Sequence, residues 1–213
     1  AILKNFNTHK PKLNLLPNPV DENLFTLREI PNINPQFIIV CISLFRPEKR
    51  IDLVLESFND LVHSGIKAKL KLIGDGPLKH EIENQIQKLG VSDLVELPGY
   101  LPQKRIIDEL HNSHFLVLPS DIETFGMVLV EAQACGLPVV ATDCGGPKDI
   151  ITAESGILVT PDSVSELAGG MKKLISSFDK FDPSEIRNSV IQKFGQKSYA
   201  ESIINITANL IKS

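Results

Sequence analysis

Nothing in the 213-residue chain approaches the ~18 consecutive apolar residues that cross a bilayer. The opening AILKNFNTHKPK lacks the long apolar centre of a secretory leader. A soluble, cytoplasmic chain is the expectation. Cysteine is scarce: Cys41, Cys135 and Cys144 are an odd number and form no CxxC pair, which argues against a disulfide framework and against paired zinc ligands. Cys41 and Cys135 lie in apolar runs and read as small reduced core residues, whereas Cys144 lies in a turn. Positive charge is in deficit, with 22 Lys and Arg against 26 Asp and Glu, so a general nucleic-acid surface is not expected. A small anion is still accessible, because it needs only a few well-placed donors.

Several catalytic signatures are missing too. No GxxxxGK[ST] occurs, and no GxGxxG follows the first strand. His111 and His114 straddle a helix end and a strand start, and Asp75, Asp121 and Asp143 lack metal-ligand spacing. No Ser-His-Asp or Cys-His constellation can be assembled, and no metal or cofactor is expected. There is no internal repeat and no low-complexity tract.

What the chain does have is alternation. With 42% hydrophobic and 23% charged residues it has the composition of an ordinary folded domain with one sizeable core. QFIIVCISLF (36–45) is β-branched without helical period, as a buried parallel strand is. IDLVLESFNDLVHSG (51–65) repeats its apolar residues at helical spacing and ends on Gly65. The same patterning predicts strands over 68–74, 95–99, 114–120, 137–143 and 156–160. Helices are predicted over 78–90, 103–113, 124–136 and 164–177, with a helical turn at 147–152 and two further helices in the tail, parted near Phe194-Gly195.

Six such strands alternating with helices predict an α/β fold, an open doubly wound parallel sheet of about six strands with C-terminal helices. An eight-unit barrel is short of strands. Residues 1–35, rich in Pro and Asn, read as a connecting segment from an earlier domain; 36–180 form the main domain and 181–213 the terminal helices.

Ligands of such sheets bind beyond the carboxyl ends of the strands. Four loops there stand out: RPEKR (46–50), GDGP (74–77), PSDIETFG (119–126) and TDCGGPKD (142–149). RPEKR is either a solvated basic loop or an anion contact through Arg46 and Lys49. GDGP reads as a turn. In ETFGMVLVE, Glu123 precedes a helix whose start, Thr124-Phe125-Gly126, offers unpaired amides and a favourable dipole to an anion. Glu131 lies inside that helix among Val128, Leu129, Val130, Ala132 and Ala134, where a carboxylate is costly unless bonded. It either reaches the helix edge or a lysine, or accepts hydrogen bonds from a bound diol.

Taken in order, GDGPLKHEIENQIQKLG, VELPGYLPQKRIIDEL, FLVLPSDIETFGMVLVEAQACGLPVVATDCGGPKDII and GILVTPDSVSELAGGMKKLI closely resemble the C-terminal half of glycosyltransferase family 4. These are retaining, nucleotide-sugar-dependent enzymes of GT-B fold. The resemblance runs from NLLPNPVDENLF onward and centres on a Glu, seven residues and a second Glu. It implies that Glu123 contacts the donor sugar, that the backbone at Phe125, Gly126 and Met127 holds sugar and diphosphate, and that Glu131 accepts from the ribose. Lys49 and Arg46 would neutralise the diphosphate. Leu97-Pro98-Gly99-Tyr100 would lie by the base, with Gly74 among the donor-contacting positions.

The resemblance further implies hexosyl transfer without a metal, with the nucleoside-diphosphate sugar as substrate rather than cofactor. The acceptor would be held by an N-terminal domain in cis or on a separate chain, through which any peripheral attachment to the cytoplasmic face of a membrane would run. An apolar rim is expected where that domain docks. Many family members carry Gly-Arg where this chain has Ser43-Leu44, which leaves the assignment of the phosphate-binding cation open. A non-catalytic nucleotide-sugar-binding module, a sugar-nucleotide epimerase and a phosphorylase relative are the alternatives.

Overall fold

A computed structural model describes residues 16–29 and 36–211; residues 1–15, 30–35 and 212–213, and the readings that fall on them, lie outside the described part. Six strands, β1 Phe37–Ile42, β2 Ala68–Ile73, β3 Val95–Gly99, β4 Phe115–Leu118, β5 Val139–Thr142 and β6 Gly156–Val159, form one sheet in the order β3-β2-β1-β4-β5-β6. Every pairing is parallel. β4 and β5 are buried at every position, which is why FLVL of β4 and Val139–Ala141 of β5 are continuous apolar runs instead of alternating ones, the closing Thr142 donating its hydroxyl to the Ser120 carbonyl.

The helices are α1 Ile51–His63, α2 Lys79–Leu89, α3 Gln103–His111, α4 Met127–Ala134, α5 Pro147–Ile150, α6 Val164–Ser176, α7 Pro183–Phe194 and α8 Gln196–Ile211. Strand residues alternate between two apolar layers. Ile39, Cys41, Leu70, Leu72, Phe115 and Val117 pack with α1, α2 and α6 on one face. Val40, Ile73, Leu116, Leu118, Val139 and Ala141 pack with α3, α4, α5 and α7 on the other. Each fully buried Leu, Ile or Phe contributes ~1.5–3 kcal/mol, so both layers are needed to offset the ordering cost of the chain.

Part of the expected connecting segment belongs to this core. Val20 and Phe25 are buried, and the Val20 amide donates to the Phe194 carbonyl at 2.8 Å. The Arg28 guanidinium donates to the Ser113 carbonyl at 2.8 Å. Arg187 of α7 donates to the carbonyls of Phe25 and Ala134, and to that of Glu22 at 2.8 Å. One side chain thus ties the entering segment and α4 to α7.

The sheet order reverses between β1 and β4, so the loops leaving these strands part to opposite faces and leave a crevice between them. Gly74, at the end of β2, lines up the β1 loop beside it. A Cβ there would lie 1.8 Å from the Ser43 carbonyl oxygen, a backbone-to-backbone collision that no rotamer relieves. Its amide also donates to the Gly99 carbonyl at 3.0 Å, which joins the ends of β2 and β3. Gly74→Ala is therefore expected to cost about 3 kcal/mol or more, lowering the melting temperature by roughly 10 °C in a thermal scan. A change within a degree or two would contradict the close approach.

Candidate functional site

The crevice is built from two loops. The β1 loop descends through Phe45, buried, into a 3-10 turn at Pro47–Lys49 and then into α1. The β4 loop runs from Pro119 to Gly126 and enters α4. They are joined at two points: the Asp121 amide donates to the Glu48 carbonyl at 2.9 Å, and Lys49 Nζ lies 2.7 Å from Glu123 Oε2. Both side chains of this ion pair are mostly shielded from solvent. The three basic residues of RPEKR have separated roles. Lys49 faces Glu123, and Arg46 is exposed and forms no ion pair with a described residue. Arg50 takes a left-handed backbone, φ 46°, and pairs with Asp52, Asp121 and Asp162. That trio holds an unfavourable conformation for a side chain of its size and braces the loop from behind.

Helix α4 starts later than its apolar pattern indicates. Thr124 and Phe125 are still loop, Gly126 adopts φ +100°, and Met127 is the first helical residue. Among the described residues, the amides of Gly126, Met127 and Val128 donate to no protein acceptor, while the Leu129 amide already bonds the Gly126 carbonyl at 2.9 Å. The positive end of the helix therefore opens into the crevice with unpaired donors. The loop is held in place by the CGG segment after β5. The Gly146 amide donates to the Glu123 carbonyl at 2.8 Å, and a Cβ on Gly146 would fall 2.3 Å from the Phe125 carbonyl oxygen. Neither Gly146 nor Arg50 stands out in the sequence. Their partners lie far along the chain, although the adjacent Gly145-Gly146 pair after an apolar strand is a visible sign of a close backbone approach.

Glu131 sits one helical turn beyond Met127, so both project from the same side of α4. Its carboxyl is half-buried and makes no hydrogen bond with a described residue; burial pushes it up to about 7. Among the described residues, neither a donor at the helix edge nor a lysine satisfies it. The remaining predicted positions spread along the same rim. Gly99 ends β3 and Tyr100, 76% exposed, follows it, while Leu97 packs its side chain on the first apolar layer. Leu44 and Ile122, on the β1 and β4 loops, are exposed as well, so three large apolar side chains lie along the carboxyl edge of the sheet.

The family model "Glycosyl transferases group 1" matches residues 25–192. The chain belongs to this family. It is 31% identical over 195 residues to "Exopolysaccharide phosphotransferase SCO2592" of Streptomyces coelicolor, covering 90% of this chain and 19% of that one. Over 141 residues it is 33% identical to "N-acetyl-alpha-D-glucosaminyl L-malate synthase" of Bacillus anthracis, with 63% and 36% covered. Among solved structures, the lipopolysaccharide outer core galactosyltransferase WaaB superposes with a TM-score of 0.83 at 22% identity, over 95% of this chain and 57% of that one. Anabaena HepE in complex with UDP gives 0.80 at 22%, over 92% and 57%. The fold is the Rossmann-like half of a GT-B structure, and the chain spans between a fifth and little more than half of these relatives. No helix among the described residues is long and apolar enough to cross a membrane.

The raised Glu131 carboxyl has a measurable consequence. Its folded value, about 7, lies above its ordinary 4.5, so between these pH values the native chain holds a proton that the unfolded chain releases. Stability contributed through Glu131 thus falls as pH rises from 4.5 through 7. Glu131→Gln is expected to be more stable than the parent at pH 8, by on the order of 2 kcal/mol allowing for partial exposure, and to match it at pH 4.5. Denaturant unfolding at the two pH values measures this. An equal difference at both would remove the burial argument.

Proposed function

We propose that this chain is the donor-binding part of a retaining glycosyltransferase that moves a hexosyl unit from a nucleoside-diphosphate sugar to an acceptor. The observation that carries the reading is the convergence of the open α4 N-terminus, Lys49 and Glu123 at the crevice where the sheet order reverses.

The amides of Gly126 and Met127 grip the diphosphate, and the helix dipole favours its charge. Lys49 supplies a full positive charge at the same place, with Arg46, exposed and outside any ion pair with a described residue, reaching in from the rim. Departure of the diphosphate leaves negative charge on its oxygens, and donors already aimed there stabilise it without reorganisation. Glu123, released from Lys49 as the phosphates arrive, accepts from the hexose hydroxyls, while the Phe125 amide donates to them. Glu131, without a partner among the described residues, accepts from the ribose diol, and the hydroxyls return what burial took from its carboxylate. The base lies along Leu97, Gly99 and Tyr100, beside Gly74. The nucleotide sugar is a substrate, and no cofactor or metal is assigned.

The acceptor is held by a further domain, in cis or on another chain. The greater length of the relatives, and the exposed Leu44, Tyr100 and Ile122 on the rim, support that part of the reading. UDP bound to HepE supports a nucleoside diphosphate as ligand class.

Titration calorimetry with UDP and GDP tests the proposal on the chain itself. At least one should bind, and Lys49→Ala should weaken it about 10- to 100-fold, the range for a lost charge-assisted contact. Glu131→Ala should weaken the same nucleotide about 10-fold, the effect of one hydrogen bond to a charged group. Affinity should rise as pH passes upward through 7, because the hydroxyls need the ionised carboxylate. Binding that is indifferent to both substitutions would refute these roles.

A further inference from the structure

Behind the donor loop is a cavity of about 510 Å³ that the donor site does not use. Leu16 and Pro17 of the entering segment, Phe125 and Phe194 wall it, and Asn18, Thr124 and Asp149 stand at its polar border. Its volume falls in the range of small-molecule pockets, ~300–1,000 Å³. Phe125 and Phe194 meet edge to face, with centroids 5.4 Å apart and planes at 82°, so the two rings form a fixed aromatic wall. Lys193, the cation bordering this space, is turned onto its wall. Its ammonium donates to the Asp149 carbonyl and lies 5.1 Å from the centroid of the Phe194 ring. Lys193 and Asp149 bring opposite charges to the same border, so the space has no net positive charge to favour a phosphate, whereas the Asp149 carboxylate and the Thr124 hydroxyl can meet hydroxyl groups. The chemistry of the cavity is that of an uncharged molecule with an apolar body and hydroxyls at one end.

Its place indicates which molecule. Phe125 serves both spaces: its backbone belongs to the loop that presents Glu123 and Gly126 to the donor, and its ring faces the cavity. Whatever fills the cavity is one residue's thickness from the proposed hexose seat. The cavity is bordered by α5 and the end of α7, and none of the phosphate-binding groups, Lys49 or the α4 amides, contributes to it.

We infer that the cavity between Leu16, Phe125 and Phe194 is an acceptor subsite that receives the apolar aglycone, alkyl or aryl, of a hydroxyl-bearing acceptor. This rests on the donor reading above. It assigns to the donor half a share of acceptor recognition, through the side of the Glu123–Gly126 loop that does not face the nucleotide.

The test uses the 213-residue chain with n-octyl β-D-glucoside, below its micelle concentration, as probe. Free glucose and sodium octyl sulfate serve as controls, each titrated with and without saturating UDP. Octyl glucoside is expected to bind at least ~10-fold more tightly than glucose or octyl sulfate, and still to bind when UDP is present. Two variants obstruct the cavity from different sides: Leu16→Trp fills it, and Asn18→Trp closes its exposed border without touching the core. Each should weaken octyl glucoside ~10-fold or more and leave UDP affinity within about two-fold. Absence of octyl glucoside binding, unchanged binding by both variants, stronger binding of octyl sulfate, or competition with UDP would each overturn the subsite. Failure of the parent chain to bind UDP or GDP is read separately, and would instead sink the donor reading on which the subsite depends.

Discussion

Lys49 and Glu123 are 74 residues apart along the chain and 2.7 Å apart in space. They meet only because β1 and β4 are neighbours at the point where the strand order reverses, so that the loops leaving them face each other across a crevice. The other features of the site follow from that adjacency. The 3-10 turn that carries Lys49, the open start of α4 and the unpaired amides at Gly126 and Met127 all lie where these two loops come together.

The polar contacts around the crevice shape it more than they stabilise the fold. The three carboxylates around Arg50 are exposed, and pairs with such solvated partners contribute little net free energy. Their effect is geometric: they hold Arg50 in a left-handed conformation and turn the chain sharply from the 3-10 segment into α1. The same division holds behind the β4 loop, where Gly146 lets two backbones touch and Phe125 is held against Phe194. Stability resides in the two apolar layers of the sheet. The crevice is left with a carboxylate at Glu131 and amides on α4 that have no partner among the described residues, and a ligand can satisfy both.

Much of this is legible in the chain. All six strands and the main helices stand out because buried parallel strands are continuous apolar runs and the flanking helices repeat at helical spacing. Glu131 is conspicuous as an acid inside an oily helix, and the structure leaves it with no partner among the described residues. The start of α4 is less legible. Its apolar pattern extends back to Phe125, but Phe125 belongs to a loop that turns at Gly126 and packs its ring on α7, a contact no local pattern records. The roles of Arg50 and Gly146, and the burial of Val20, Phe25 and Arg28 in a Pro- and Asn-rich stretch without periodicity, likewise depend on partners far away in sequence. Tertiary packing, not propensity, decides such positions.

Central to the account is the claim that the first amides of α4 are the phosphate seat. Backbone ¹H–¹⁵N spectra of the chain, recorded while UDP or GDP is added, test it directly. The account predicts that the largest shifts fall on Gly126, Met127 and Val128, with smaller ones at Lys49, Gly99 and Tyr100. Shifts that leave those three amides untouched and gather instead at the opposite edge of the sheet, near Thr152 and Lys180, would contradict it.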